Sequence, residues 1–270
     1  MEVTDLINKI DPARQQHLDK VILGIAQAYG PYDFWLDNIN PLANPDTTWR
    51  AFMVVSALKD VGFVEKAKFL LNSPDSRVRA WSCNYLETVN HVQASEKLFT
   101  LSNDPSPRVR FHARKAFISM HGGENVFSGN RQYMHAEFPV LISEDSPKGR
   151  EQLAMILQKQ GFTTYTADTA RETLELALKI KPQVIVTDNQ KITILNDPKF
   201  GPQARYVDNI SGLNMTWDIC RLQELKETLL FMLTADELEP IFLWQGGDVF
   251  LSKHRFGAEM LGGIIQTFMY

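Results

Sequence analysis

The second half of the chain alternates between short strand-like runs and helical segments, and this alternation leaves few folds open to it. Five runs rich in aliphatic and β-branched residues are predicted as strands, at 138–143, 162–167, 184–187, 229–233 and 249–252. Amphipathic helical patterns separate them, which is the arrangement that parallel strands require. The pattern therefore predicts an α/β fold with a doubly wound five-stranded parallel sheet. In such sheets, ligands bind beyond the carboxyl ends of the strands.

Polar residues stand at those carboxyl ends. Glu144 and Asp145 follow the first strand, Asp188 the third, Thr234 the fourth and Lys253 the fifth. Three carboxylates at one edge repel each other unless a cation joins them, and a ligand set made only of oxygens suits Mg²⁺. A hydroxyl and an ammonium beside the same point bind phosphoryl oxygens. The predicted chemistry is attack by a carboxylate on phosphorus, which gives an aspartyl phosphate.

This set of residues resembles the receiver domain of two-component response regulators, over about residues 138–270. The resemblance implies a flavodoxin-like sheet in which Asp188 is the phosphoacceptor. It also implies Mg²⁺ as the cofactor, held by Glu144, Asp145, Asp188 and the backbone carbonyl of Gln190.

The resemblance extends to the residues that respond to phosphorylation. It implies that Thr234 is the switch hydroxyl, that Phe250 is the switch aromatic, and that Lys253 bridges to the phosphate. Asp188, Thr234 and Lys253 would then form the catalytic group. One departure from the family pattern is His254, because family members usually have a proline after the lysine, in a cis peptide. A cis bond before another residue type costs about 2.5–4 kcal/mol, so the loop is expected either to differ here or to carry strain.

A second departure is the segment 189–211, which replaces a short turn and is predicted as a long loop before a helix near 213–225. It carries about 16 residues more than the usual turn, with Gly212 in the place of the glycine that ends that turn. Its role is left open between a lid, a kinase-selectivity element, a docking point for the first half of the chain, and a surface decoration.

The first half of the chain carries an internal repeat. The triplet Arg-Val-Arg occurs at 77–79 and again at 108–110, an offset of 31 residues, and each copy follows a proline and an aspartate. A fainter copy begins at Pro45. Helix pairs that repeat at about this interval bury their apolar faces only by stacking, so the pattern predicts an all-α solenoid.

These repeats resemble HEAT repeats, well over 70–122 and weakly over 40–70, and the resemblance implies a surface that binds a protein target. The arginines are predicted to pair with acidic groups of the neighbouring repeat rather than to form a phosphate-binding ridge. One subfamily of such repeats acts on bilin chromophores. Cys83, however, falls among large apolar residues and is predicted as a small buried side chain.

The predicted division is a solenoid interaction domain at 1–122, a linker at 123–137 and a receiver domain at 138–270. Residues 1–137 hold 15 basic and 15 acidic side chains and residues 138–270 hold 13 and 17, so the net charge of −4 lies in the second half. Strong attraction to nucleic acid or to anionic lipid is therefore not expected. With neither a bilayer-spanning apolar run nor a signal segment in the sequence, the expected location is the cytoplasm.

The combined expectation is a response regulator of a phosphorelay signalling system that is not itself an enzyme. A histidine kinase or a phosphotransfer protein is the expected donor. A protein target of the helical repeats is the expected output partner, and a homodimer through the receiver is a further expectation. The first alternative is a pseudo-receiver, a scaffold that works without phosphorylation.

A less favoured alternative is an enzyme, either a phosphatase with Asp188 as nucleophile or a bilin lyase that uses Cys83. Haloacid-type phosphatases need a second aspartate two residues after the nucleophile, and a cobalamin-binding domain needs a histidine at that position. The chain has Gln190 there, which fits neither.

Overall fold

A computed structural model describes residues 12–122, 139–189, 191–195, 204–208 and 211–269. The chain forms two compact units, Met1–Arg131 with Ile265–Tyr270 and Gln132–Ile264. The linker predicted over 123–137 lies outside the described residues. Of the helices that the structure describes, none combines the length and the apolar character needed to cross a bilayer.

The described part of the N-terminal half is helical, with long and short helices in alternation. Its α-helices are α1 (Pro12–Tyr29), α2 (Tyr32–Asp37), α3 (Pro45–Leu58), α4 (Val64–Leu70), α5 (Ser76–Thr88), α6 (Ser95–Leu101) and α7 (Pro107–His121). The long helices α3, α5 and α7 begin at intervals of 31 residues, and so do the short helices α4 and α6. The faint third copy of the repeat is confirmed as a helix that begins at Pro45.

Local capping explains why the long helices begin where they do. The Asn44 side chain accepts a hydrogen bond from the Asp46 amide, and Asp75 accepts from the amides of Arg77 and Val78. Proline stands in the first turn of α3 and α7, where its missing N–H leaves no bond unmade. The Pro-Asp signals of the repeat are therefore helix starts.

Two arginines of the repeat, Arg77 and Arg79, pair with acids as predicted. Arg110 and Arg114 are seen donating to backbone carbonyls. Arg79 on α5 binds both carboxylate oxygens of Asp104, which precedes α7. Arg77 contacts Asp46 of the preceding repeat at 2.9 Å, and Lys115 on α7 contacts Glu87 on α5 at 2.7 Å. These pairs join consecutive repeats.

Cys83 is buried in the N-terminal unit, which confirms the prediction for this side chain. Burial raises the pKa of its thiol, and the carboxylate of Asp104 raises it further. The thiolate that covalent chemistry needs is therefore strongly disfavoured.

The C-terminal unit is a flavodoxin-like five-stranded sheet in the order β2-β1-β3-β6-β7, with every neighbouring pair parallel. Its strands are β1 (Pro139–Ser143), β2 (Thr163–Ala167), β3 (Val184–Thr187), β6 (Leu229–Thr234) and β7 (Val249–Ser252). The accompanying helices are α8 (Pro147–Lys159), α9 (Ala170–Ile180), α10 (Ser211–Arg221), α11 (Glu239–Trp244) and α12 (Ala258–Met269), of which α12 belongs to this unit as far as Ile264. The predicted fold class is confirmed, with strand bounds that shift by about one residue.

The segment after β3 differs from the predicted long loop. It contains a two-stranded antiparallel sheet, formed by β4 (Lys191–Leu195) and β5 (Ala204–Asp208), in which Lys191 pairs with Asp208. β4 lies beside α9 and α10. Both stretches are rich in β-branched or aromatic residues, a composition that favours strands, so the prediction of a plain loop was wrong.

Candidate functional site

The candidate site lies at the carboxyl edge of the sheet, where four strand ends meet. Asp188 continues the ladder one residue beyond β3, because its amide donates to the carbonyl of Ser143 at 3.0 Å. Lys253 does the same after β7, with its amide donating to the carbonyl of Thr234 at 2.8 Å. Since β1, β3 and β6 are central, buried strands, their ends have little freedom. The topology therefore fixes the backbone from which these side chains project.

The structure brings the three predicted carboxylates together. One oxygen each from Glu144, Asp145 and Asp188 lies within 4.8 Å of the other two. Lys253 joins them, with its Nζ 2.7 Å from Asp188 Oδ2 and 3.1 Å from Glu144 Oε2. The site thus holds three acidic groups and one ammonium.

Burial and the neighbouring charges together shift the pKa values of two groups in the site. Burial raises the pKa of Glu144, and the negative charge of Asp188 adds to this, while Lys253 opposes it. Burial alone would lower the pKa of Lys253, but its hydrogen bond and charge interaction with Asp188, together with Glu144, leave that pKa raised. Lys253 is therefore held as a cation by the carboxylates around it.

Backbone contacts hold the acidic loop in place. Arg150 donates through Nη1 to the carbonyl oxygens of Glu144, at 2.6 Å, and Asp145, at 3.4 Å. Arg150 was not among the residues predicted for the site. The repeat contains the same contact, because Arg79 and Arg110 also donate to the carbonyls of the residues six and five positions earlier. This recurring spacing is the signal that could have identified Arg150.

The two predicted switch residues lie on adjacent strands and point inward. Thr234 is buried at the end of β6, and its hydroxyl lies 3.4 Å from a carboxylate oxygen of Asp236. Phe250 on β7 is buried against Phe242 on α11, with ring centroids 6.2 Å apart. The sequence analysis did not identify Asp236 as a neighbour of the switch hydroxyl.

Two further sequence expectations concern the loops around the site. Gln190 lies outside the described residues, so its carbonyl remains a predicted ligand only. The described residues contain no cis peptide bond, and Lys253 is therefore joined to His254 by a trans peptide.

The carboxylate cluster fits a small divalent cation by its chemistry. Its donors are all carboxylate oxygens, which Mg²⁺ prefers, and their mutual repulsion is only partly offset by one lysine. Glu144, Asp145 and Asp188 are the residues of the described chain that would hold such an ion.

Solved structures similar to this chain are CheY-like receiver domains, each matching about half of it. The chemotaxis response regulator CheY4 of Vibrio cholerae is 25% identical, with a TM-score of 0.38, over 48% of this chain and 98% of that one. A response regulator receiver domain protein from Clostridium thermocellum is 18% identical, with a TM-score of 0.38, over 48% and 93%. The BeF₃-activated receiver domain of DrrB is 20% identical, with a TM-score of 0.36, over 49% and 97%. No protein-family model and no curated protein matches the sequence.

Gly212 is required by the close approach of α10 to the loop that carries Asp188. A Cβ added there would lie 2.4 Å from the Asp188 carbonyl oxygen and 2.7 Å from Asn189 Cα, and backbone atoms cannot move aside cheaply. Gly212→Ala is expected to lower the free energy of unfolding by about 1–3 kcal/mol in urea denaturation. Gly263→Ala on α12 is the matched control, because its Cβ would meet nothing within 4 Å. The control is expected to be neutral or stabilising by up to about 1 kcal/mol, and equal losses in both variants would contradict the steric argument.

Proposed function

We propose that the C-terminal half, over about 138–270, is a receiver domain that accepts a phosphoryl group on Asp188 in a phosphorelay. The observation that carries this proposal is the contact between Lys253 Nζ and Asp188 Oδ2, inside a cluster of three carboxylates at the carboxyl edge of the sheet. An isolated aspartate after a strand is usually a helix cap. An aspartate that shares the lysine of one strand end with the glutamate of another is better suited to binding and transferring an anion.

In this proposal a carboxylate oxygen of Asp188 attacks phosphorus. The new oxygen–phosphorus bond forms as the bond from phosphorus to the donor breaks, and the donor leaves with that electron pair. Lys253 moves its hydrogen bonds to the phosphoryl oxygens and neutralises part of their charge. Glu144, Asp145 and Asp188 would hold Mg²⁺, which would supply positive charge that offsets the negative charge of the phosphoryl oxygens. Arg150 keeps the loop of these two acids in place through its backbone contacts.

The readout in this proposal is a change of protein contacts. Thr234 turns its hydroxyl toward the phosphoryl group and Phe250 follows, which alters the surface formed by α11, β7 and α12. The donor is a histidine kinase or a phosphotransfer protein. The helical repeats are the output module, since stacked repeats form extended binding surfaces for proteins.

A pseudo-receiver that works without phosphorylation is the second candidate. The strands β4 and β5 after Asp188 and the trans peptide before His254 favour it, because both depart from the usual receiver pattern. The contacts of Lys253 with Asp188 and Glu144 favour the phosphorylated switch instead, since a scaffold has no need for them. Bilin attachment to Cys83 is disfavoured by the burial of that thiol.

The test is phosphorylation by a small donor. Wild type incubated with Mg²⁺ and acetyl phosphate is expected to gain the mass of one phosphoryl group, and Asp188→Asn is expected to gain none. Asp168→Asn is the matched control, because Asp168 follows β2 at the same edge of the sheet but is not among the three clustered carboxylates. No gain of mass by wild type, or an equal gain by Asp188→Asn, would contradict phosphorylation of Asp188 and would favour the pseudo-receiver scaffold. Steady release of phosphate from a phosphoester would support a phosphatase instead.

A further inference from the structure

The hydroxyl of Thr234 is engaged twice by the same neighbour. The amide of Asp236 donates to Thr234 Oγ1 at 3.3 Å, and that hydroxyl lies in donor position 3.4 Å from Asp236 Oδ2. Thr234 is only 2% exposed, so water offers its hydroxyl few competing partners. Asp236 Oδ2 is therefore the acceptor that the geometry offers to this hydroxyl.

Asp236 is in turn fixed by a residue from another strand end. Asn189, which directly follows Asp188, donates through Nδ2 to Asp236 Oδ2 at 2.8 Å. The same residue donates its backbone amide to Asp188 Oδ1 at 2.6 Å. A hydrogen bond from an amide to a carboxylate is among the stronger ones in proteins. A continuous set of contacts thus runs from Asp188 through Asn189 and Asp236 to Thr234.

A threonine hydroxyl has one proton to donate. If it donates to a phosphoryl oxygen on Asp188, it must give up Asp236 as its acceptor. We propose that Asn189 and Asp236 form a latch that holds Thr234 in its unswitched orientation and so opposes the response to phosphorylation. This inference rests on the proposed function, because it concerns the regulation of the same site.

The latch acts on one of two states, and this gives it a measurable consequence. A contact that exists only in the unswitched state lowers the population of the switched state, and with it the apparent affinity for any ligand that selects the switched state. Loss of one hydrogen bond of ordinary strength corresponds to about a three- to tenfold change in such an equilibrium. Removing either latch residue should therefore tighten binding of a phosphoryl analogue.

The experiment titrates the full chain with beryllium fluoride at saturating Mg²⁺ and follows the methyl group of Thr234 by NMR in threonine-labelled protein. Asp236→Ala and Asn189→Leu are both expected to bind about three- to tenfold more tightly than wild type. In both variants, the ligand-free methyl resonance should move toward its position in the saturated wild type. Leucine keeps the approximate shape of Asn189 without its donor, and Asn189→Ala replaces it if the leucine variant does not fold.

The Asn189 variants separate a latch from simple charge repulsion. Asp236→Ala also removes a negative charge near the bound anion, whereas Asn189→Leu leaves that charge in place. Glu237→Ala, which removes the adjacent exposed acid, is the matched control. It is expected to change the affinity for beryllium fluoride less than Asp236→Ala or Asn189→Leu does. Unchanged or weaker binding in the Asn189 variant would overturn the latch alone, provided that wild type binds. A wild type that does not bind beryllium fluoride would overturn the proposed function, and the latch with it.

Discussion

Replacing Arg79 by alanine is expected to lower the free energy of unfolding of the N-terminal unit by about 3–5 kcal/mol, measured by urea denaturation of the full chain. Arg79 Nε donates to Asp104 Oδ2 at 3.1 Å and Nη2 donates to Oδ1 at 2.9 Å, so the pair is bidentate. The two side chains are only 14% and 7% exposed. Truncation leaves the Asp104 carboxylate buried without this partner, and removes the bond from Arg79 to the Ser73 carbonyl as well.

The control for Arg79 is an ion pair of similar length on the surface. Arg171 contacts Glu175 at 2.9 Å, but these side chains are 87% and 66% exposed. Arg171→Ala is therefore expected to lower the free energy of unfolding by only about 0.3–0.5 kcal/mol. Replacing Arg79 by methionine and Asp104 by leucine together should recover much of the loss, because no buried charge is then left alone. Equal losses in Arg79→Ala and Arg171→Ala would contradict a structural role for the pair between repeats.

The strand ends at the site could be read from the sequence because β1, β3, β6 and β7 are short, largely apolar runs, each followed by or ending in a polar residue. In a parallel sheet such stops meet at one edge, so Asp188 and Lys253 could be placed together although 65 residues separate them. The shared direction of the strands is sufficient to place them there. The carboxylate cluster is thus the part of the site that topology alone predicts.

The contacts of Asn189 with Asp236 could not be predicted in the same way. They join residues 47 positions apart, and neither residue belongs to a periodic pattern or directly follows a strand. Their meeting depends on where two loops turn after β3 and β6. Side-chain contacts between loops follow from packing rather than from periodicity, so the sequence analysis identified Thr234 but missed its restraint.

The weak third copy of the repeat also has a physical explanation. At the offset of 31 residues, the position that Arg77 holds in the copy at 77–79 is held by Asp46 in the weak copy that begins at Pro45. The structure places these two side chains 2.9 Å apart. The copy therefore lacks the arginine that marks the repeat because it supplies the acid that the next arginine binds. Because equivalent positions of consecutive copies carry opposite charges, a comparison that looks for identical residues underestimates the similarity of the copies.

Lys253→Met is expected to lower the free energy of unfolding of the Mg²⁺-free protein. It is also expected to increase the stabilisation that Mg²⁺ gives. The ammonium binds both Asp188 and Glu144 within a cluster of three carboxylates, so its loss leaves like charges close together in a largely buried site. In EDTA the free energy of unfolding should fall by about 2 kcal/mol, a value reduced from that of a fully buried pair because the lysine side chain is 37% exposed. Saturating Mg²⁺ should then stabilise the variant more than it stabilises wild type, since the cation replaces the missing charge.

Two variants give this expectation its controls. Lys253→Arg keeps the charge and should keep most of the stability in EDTA. Lys68→Met removes an exposed lysine that contacts Glu65 at 3.0 Å, and is expected to change stability by less than about 1 kcal/mol with or without Mg²⁺. If the stabilisation by Mg²⁺ were the same in Lys253→Met as in wild type, the lysine and the cation would not share the carboxylates. The electrostatic argument for a divalent ion at Glu144, Asp145 and Asp188 would then fail, because it requires both cations to act on the same cluster of carboxylates.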